Sequence, residues 1–197
     1  HNSIKLSEKA YELSKKFSIN QKLSEAIIRE SDVVFGGVSG FVITSSNNIM
    51  APNAGIDKSN SQGKLILYPD DPYQVAEQIK RKFFLDYNLH VGIIIVDSRL
   101  MPARIGTSGV AIACSGIEPV LDRRATKDLD GNVLKVTFQA IADNLASIAN
   151  HKMGEADELI PLAIIRESGA KLTDRRISSE ETTIPYDECI YFRGLKK

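Results

Sequence analysis

The chain has 197 residues, of which 43% are hydrophobic and 25% are charged, a composition ordinary for a globular protein that can bury a core without disulfides. Its 25 Lys and Arg residues balance its 25 Asp and Glu residues, which argues against nucleic acid or an acidic membrane surface as a partner. The sequence has no signal peptide and no apolar stretch of bilayer length. We therefore expect a cytoplasmic protein.

The two cysteines are expected to be structural. Cys114 and Cys189 are far apart, and each lies in an apolar run. This pattern favours two buried free thiols over a disulfide scaffold.

The first part of the chain predicts helices around a small antiparallel sheet. Apolar side chains at helical spacing predict helices at 4–17 and 20–30. Asp71 as N-cap and Pro72 as the first helical residue predict a third helix that continues to about residue 85. Short strands bounded by Gly-rich or polar turns are predicted at 33–35, 41–44, 49–51 and 65–67, with Gly36, Gly37 and Gly40 at the first turn.

The second part is expected to contain the most apolar strand, residues 91–96, which should be central and buried on both faces and should end at Asp97 and Ser98. The remaining elements in order are a strand at 110–114, a charged loop at 122–132 with a turn at Asp130 and Gly131, a strand at 133–136, a helix at 138–149, a polar loop at 152–158, a strand at 162–165, an irregular segment at 167–183 and a closing strand at 190–192. Strands and helices do not alternate regularly, which favours an α+β fold of mixed sheets and packed helices.

Three polar loops next to apolar strands are candidate sites, because reactive groups tend to lie on loops of a rigid scaffold. Asp57 and Asn60 could offer oxygen ligands to a hard divalent cation, although their spacing alone favours an ordinary Asx turn. Asp97 with Ser98 is either a metal-binding strand end of the phosphoryl-transfer kind or an exposed strand terminus. The acidic loop 153–158 could bind a metal, but its charge run alone favours a solvated loop.

Arginines in the loops after the 91–96 strand suit phosphate and carboxylate groups, because a guanidinium binds two oxygens at once. Arg104 and Arg123 are our candidates for holding an anionic substrate, and the alternative is surface solubility. The sequence contains no phosphate-binding loop of the Gly-x-x-x-x-Gly-Lys type, no dinucleotide glycine fingerprint and no zinc-ligand spacing. A Ser-His-Asp or Cys-His catalytic set is not supported either.

Taken together in order, these blocks resemble the coenzyme F-420 gamma-glutamyl ligases. That family has an Ala-Asn-Ala-Gly-Ile-Asp-x-Ser-Asn block, matched here by Ala51 to Asn60 with Pro52 inserted. No single block is specific, but their order and spacing are shared over about residues 20–166. The other matching blocks are Asp97–Ser98, Gly106–Gly116, Asp128–Gly131, Ala142–Asp143, Gly154–Glu155 and Ile164–Arg166.

The resemblance implies a single ligase-like domain over residues 1–197 that lacks the N-terminal segment of the family. It also implies an intertwined homodimer. It also implies roles for individual residues. The implied ligands of a divalent metal, magnesium or manganese, are Asp57, Asp97, Ser98 and Glu155. The implied contacts to GTP are Asn60 and, in the loop 153–160, Met153, Gly154, Ala156 and Asp157. Potassium is a further implied ion.

The implied reaction is amide formation. GTP would phosphorylate the phospholactyl carboxylate of the deazaflavin precursor, and L-glutamate would then attack the acyl phosphate. Two alternatives remain open: a non-catalytic or partner-dependent paralog that does not bind nucleotide, and a ligase for another phosphorylated carboxylic acid.

Overall fold

A computed structural model of the protein describes residues 5–195. The chain divides into two units, the first made of residues 1–68 and 183–197 and the second of residues 69–182. The helices are α1 (Glu8–Phe17), α2 (Gln21–Glu30), α3 (Pro72–Tyr87), α4 (Ile141–Met153) and α5 (Ile190–Leu195). The strands are β1 (Val33–Val38), β2 (Phe41–Ser46), β3 (Ile49–Pro52), β4 (Ile93–Leu100), β5 (Thr107–Ser115), β6 (Val120–Asp122) and β7 (Phe138–Ala140). This content confirms the predicted α+β class.

The first two helices of the first unit, α1 and α2, confirm the sequence prediction and contribute to its core. The N-cap side chains of Ser7 and Asn20 accept hydrogen bonds from the first turns of α1 and α2, which stabilises helix starts. α1 begins at Glu8 rather than at residue 4, which lies outside the described residues. The apolar side chains that pack together are Phe17, Ile19, Leu23, Ile27 and Val42.

The sheet of the first unit is antiparallel in the order β1, β2, β3, as predicted. Gly36 and Gly37 lie within β1 at a bulge instead of in the turn, which is made by Ser39 and Gly40. The predicted strand at 65–67 is wrong, since it amounts to a single bridge from Ile66 to Asp57. The predicted closing strand at 190–192 is also wrong, because those residues form α5.

In the second unit, β4 and β5 form an antiparallel pair against which α3 and α4 pack. α3 starts as predicted, and the Asp71 carboxylate accepts a hydrogen bond from the Gln74 amide at 2.8 Å. β4 continues through Asp97 and Ser98 to Leu100, so these two residues lie inside the strand and not at its end. The expectation of a central strand buried on both faces is wrong within this unit, because β5 is its one neighbouring strand and most of its residues are half-buried.

The remaining differences concern apolar segments that the sequence assigned to strands or helices. Residues 133–136 contribute only a bridge from Val133 to Lys127, and Phe138–Ala140 pairs with β6 instead of starting the helix. Residues 162–165 have no regular secondary structure, and Leu162 and Ile164 are exposed. The physical reason is that a strand needs a neighbour for its backbone hydrogen bonds, which apolar composition alone does not supply.

Among residues 5–195, no helix combines the length and the apolar character needed to cross a bilayer.

Candidate functional site

A left-handed turn sets the direction of the first candidate loop. Asn53, Ala54 and Gly55 have consecutive φ values of 51°, 58° and 68°, a conformation that costs about 1–2 kcal/mol for each residue with a Cβ atom. Buried hydrogen bonds hold it: the Val42 amide donates to the Asn53 side chain at 3.0 Å, and the Ala54 amide donates to the Thr44 hydroxyl at 3.0 Å. Strained backbone of this kind is concentrated at functional sites.

A close contact with Tyr68, in addition to its positive φ, requires glycine at position 55. A Cβ atom built at this position would lie 2.1 Å from the Tyr68 ring, which is far inside contact distance. The aromatic ring therefore packs directly on the glycine backbone and fixes the exit of the left-handed turn toward Asp57.

Asp57 stands at the neck of the loop that follows. Its backbone exchanges hydrogen bonds with Ile66 at 3.0 and 2.9 Å, and its carboxylate accepts from the amides of Lys58 and Ser59 at 2.6 and 2.8 Å and from the Ser59 hydroxyl. Partial burial works to raise the pKa of Asp57, but these hydrogen bonds hold it below its ordinary value. The carboxylate is ionised at neutral pH, as a metal ligand must be, and it also makes the Asx turn that was the alternative prediction. Asn60 lies in the same exposed loop with a φ of 49°.

Two of the predicted ligands in the second unit are brought together. Ser98 on β4 lies close enough to Glu155, which follows α4, for its side chain to be one of the hydrogen-bonding groups that lower the pKa of Glu155. The Glu155 Oε1 atom accepts hydrogen bonds from the Thr107 hydroxyl at 3.0 Å and from the side-chain amide of Asn150 at 2.7 Å. Burial works to raise the pKa of Glu155, and the hydrogen bonds from Asn150, Ser98 and Thr107 bring it below its ordinary value. We call Ser98, Thr107, Asn150 and Glu155 the Glu155 cluster.

Asp97 lies next to this cluster in the chain but on the other face of the strand, because successive side chains of a strand point in opposite directions. Its Oδ2 atom is 3.4 Å from the Arg99 Nε atom. The side chains of Asp97 and Arg99 are 29% and 14% exposed, so this ion pair is partly shielded from water.

Asp143 supports the strand pair that carries Asp97 and Ser98, a role that the sequence did not predict although Asp143 stood in a matching block. The β4–β5 ladder has a bulge where Ile95 pairs with Ala113 and Val96 pairs with Ala111. The Ala111 amide donates to the Asp143 carboxylate at 2.9 Å, which satisfies a backbone group near the ladder irregularity. Bulges are common next to active sites because they redirect side chains, and this one lies one residue pair from Asp97.

The acidic loop after α4 is closed by its own carboxylate. The Ala156 amide donates to Glu158 Oε2 at 2.8 Å, and hydrogen bonds from the amides of Ala156, Glu158 and Glu155 lower the pKa of Glu158. Gly154 has a φ of 83°, and a Cβ atom there would lie 2.1 Å from the Glu158 carboxyl carbon. The four implied nucleotide contacts in this loop are Met153, half-buried at the end of α4, Gly154, and the exposed Ala156 and Asp157.

The two candidate arginines are exposed. Arg104 lies in the turn between β4 and β5, where its amide donates to the Met101 carbonyl at 3.2 Å. Arg123 follows β6, and its guanidinium donates to the Gln139 side chain at 3.2 and 3.4 Å. Its neighbour Arg124 is neutralised by Asp122 through several hydrogen bonds.

The donor types of these loops fit a hard divalent cation, which binds carboxylate, hydroxyl and amide oxygens. Asp57 belongs to the first unit, and Asp97, Ser98 and Glu155 belong to the second. Within the part of the chain that the structure describes, no three His, Cys, Asp or Glu side chains converge as a metal-binding group. The assignment of the four residues to a metal stays a prediction.

Comparison with known proteins supplies the family. The sequence model described as "F420-0:Gamma-glutamyl ligase" matches residues 1–167. The chain is 41% identical over 161 residues to the "Coenzyme F420:L-glutamate ligase" of Methanocaldococcus jannaschii, a match that covers 81% of this chain and 65% of the relative. The protein of the same name from Methanococcus maripaludis strain S2 is 37% identical over 174 residues, which cover 88% of this chain and 70% of the relative. That from Methanopyrus kandleri is 37% identical over 156 residues, which cover 78% of this chain and 62% of the relative.

The chain thus spans about two thirds of the length of these relatives. The matches confirm the resemblance seen in the ordered blocks, and the chain belongs to the F-420-0:gamma-glutamyl ligase family.

Proposed function

We propose that the chain is the ligase part of an enzyme that joins L-glutamate to the phospholactyl carboxylate of a coenzyme F-420 precursor, with GTP as co-substrate and a divalent metal, magnesium or manganese, as cofactor. The observation that supports the proposal is the Glu155 cluster, which joins two predicted ligands, Ser98 and Glu155, within a family of glutamate ligases. The names of the relatives support the choice of glutamate and of the deazaflavin precursor.

The proposed chemistry has two balanced steps. The substrate carboxylate attacks the γ-phosphorus of GTP, so that an acyl phosphate forms and GDP leaves. The glutamate amine then attacks the acyl carbon, the amide bond forms, inorganic phosphate leaves and the amine loses a proton. Both steps bring negatively charged groups together, and their barriers depend on groups that offset this charge.

The chain's own residues would contribute position and charge. Glu155 is held ionised and oriented by Asn150 and Thr107, and Asp57 is held ionised by its own loop. With Asp97 and Ser98 these residues would hold the metal, whose charge would offset that of the phosphate oxygens. Arg104 and Arg123 carry exposed guanidinium groups suited to the anionic precursor.

The nucleotide would be bound by Asn60 and by the loop of Met153, Gly154, Ala156 and Asp157. Support comes from the backbone of that loop, whose amides already hold an anion, the Glu158 carboxylate. Backbone amides that converge on an anion are a common means of binding phosphate.

The decisive experiment is calorimetric titration of the chain with GTP in the presence of magnesium or manganese. We expect metal-dependent binding that Glu155→Gln weakens by about tenfold or more, because a ligand charge is removed. The matched control is Glu180→Gln, which removes an equal charge from a short helical turn near the end of the second unit and should leave binding unchanged. Metal-independent binding, or an equal effect of both variants, would overturn the metal assignment.

An assay with L-glutamate and the deazaflavin precursor then separates the alternatives. Release of inorganic phosphate and growth of the precursor by one glutamate mass are expected. A folded protein that binds no GTP would favour a non-catalytic or partner-dependent paralog. Phosphate release only with another phosphorylated carboxylic acid would favour a ligase that acts on that acid. We also propose that the protein is cytoplasmic and that potassium is an additional ion. We further propose a homodimer, and size-exclusion chromatography with light scattering tests its mass.

A further inference from the structure

A cleft of about 570 Å³ lies in the second unit between the C-terminal half of α3 and the segments 89–91 and 172–174. Its volume is within the range of sites that bind small organic molecules. None of the residues that the family resemblance marks as metal or nucleotide contacts lines it. The cleft therefore requires its own explanation.

The cleft is at the far end of the β4–β5 ladder from the Glu155 cluster. Val91 and Gly116 line it next to the pair Ile93 and Ser115, whereas Ser98 pairs with Gly109 near the other end. Ser98 lies seven positions after Val91 along a nearly extended chain, which corresponds to about 23 Å. A small ligand in the cleft cannot reach reacting groups at the Glu155 cluster of the same chain, so the cleft is a separate site.

The cationic side of the cleft is formed by Lys80 and Arg81. The Lys80 side chain is 15% exposed and forms an ion pair with Glu77 at 2.9 Å. It packs on the backbone of Gly116, where an added Cβ atom would lie 2.9 Å from the Lys80 Cδ atom. Among residues 5–195, no carboxylate lies within ion-pair distance of the exposed Arg81. Arg81 thus offers the cleft an exposed guanidinium that is not in an ion pair within this range.

The apolar side is formed by an aromatic pair. The rings of Phe84 and His90 lie 5.0 Å apart with an interplanar angle of 57°, and both rings line the cleft. Phe84 is 43% exposed, so a planar molecule can stack on it. Nearby Leu89 and Leu172 are also about half exposed, and exposed apolar side chains grouped at a concave surface are typical of a binding site.

The acids of the cleft limit the charge of its ligand. Glu77 is occupied by Lys80 and the Ser115 hydroxyl, whereas Asp174 also lines the cleft and would repel an anion placed beside it. Since Lys80 is paired with Glu77 and Arg81 is in no ion pair with the described residues, an anionic group is best placed next to Arg81, with the planar part of the ligand over the half-exposed Phe84.

We propose that this cleft binds a planar heteroaromatic molecule that carries a phosphate, with the phosphate at Arg81 and the ring on Phe84. The proposal goes beyond the ligase reaction and does not depend on it. A nucleoside phosphate and a flavin-type phosphate share this chemistry, and the size of the ring system distinguishes them.

The test is equilibrium titration of the intact chain with FMN, followed by flavin fluorescence, and with GMP, followed by calorimetry. Loss of a charge-assisted hydrogen bond or of a stacking partner should weaken binding by about tenfold in Arg81→Ala or Phe84→Ala. Lys82→Ala is the matched control, because Lys82 lies on the same helix, pairs with Asp86 and does not line the cleft. Asp174→Asn should strengthen binding.

The outcomes are distinct. Tighter binding of FMN than of GMP supports the proposal with a flavin-type ligand, and the reverse supports it with a nucleoside phosphate. Failure of both probes to bind, equal effects of Arg81→Ala and Lys82→Ala, or inorganic phosphate that binds as tightly as FMN would overturn it. Binding that Glu155→Gln abolishes while Arg81→Ala leaves it intact would also overturn it, because the probe would then occupy the proposed ligase site.

Discussion

Replacement of Asn53 by alanine tests whether buried hydrogen bonds hold the left-handed turn that leads to Asp57. The variant would leave the Val42 amide without its acceptor, and Val42 is fully buried, which costs about 1–3 kcal/mol. Alanine also tolerates a φ of 51° less well than asparagine, with a cost of up to about 1–2 kcal/mol. We expect a loss of about 2–5 kcal/mol in the free energy of unfolding of the first unit.

Asn47→Ala provides the matched control. Asn47 has a φ of 50° but is exposed in the turn between β2 and β3, so its replacement should cost only the backbone part, about 1–2 kcal/mol. Urea unfolding followed by far-ultraviolet circular dichroism measures both losses. At a slope of about 2 kcal/mol/M, the Asn53 variant should unfold at about 1–2.5 M less urea than the wild type. Equal midpoints for the two variants would refute the reasoning, because the buried hydrogen bond would then contribute nothing.

Three further predictions concern other parts of the molecule. Hydrogen bonds from the Ser7 side chain and backbone and from Arg29 lower the pKa of Glu25 to about 2. The wild type should therefore be more stable than Glu25→Gln above about pH 4.5 and lose this advantage as the pH falls toward 2. Urea midpoints across this pH range measure the difference in stability. Asp143→Ala should destabilise the second unit by about 1–3 kcal/mol, because an amide of the β4–β5 ladder loses its acceptor, and thermal unfolding measures the loss. Burial raises the pKa of the Cys114 thiol to about 12, so a thiol reagent at pH 8 should label the half-buried Cys189 and leave Cys114 unmodified in the folded protein.

Each of these has an outcome that would contradict it. A constant stability difference between wild type and Glu25→Gln from pH 6 to pH 2 would contradict the assigned hydrogen bonds. Asp143→Asn keeps an oxygen acceptor and should cost less than Asp143→Ala, so equal losses would show that the amide is satisfied in another way. Labelling of Cys114 as fast as Cys189, detected by mass spectrometry of peptides, would show that Cys114 is not shielded.

The secondary structure was predictable wherever local chemistry decides it. Asp71 followed by Pro72 is sufficient to start α3, because the carboxylate caps the helix and proline has no amide to leave unpaired. The same is true of the Asx turn at Asp57, which needs only neighbouring amides. By contrast, residues 162–165 and 190–192 were predicted as strands from their apolar character, and a strand depends on a partner that local sequence does not specify.

For the candidate site, the sequence alone determined the family and the types of side chain available, since the ordered blocks from Ala51 to Arg166 lie within the region that the family model matches. Only the tertiary structure decided that Ser98 lies beside Glu155 and that Asp143 supports the irregular β4–β5 ladder. These contacts join residues about thirty to sixty positions apart. A sequence pattern fixes what a residue can do chemically, whereas the residue that it contacts depends on how helices and strands pack.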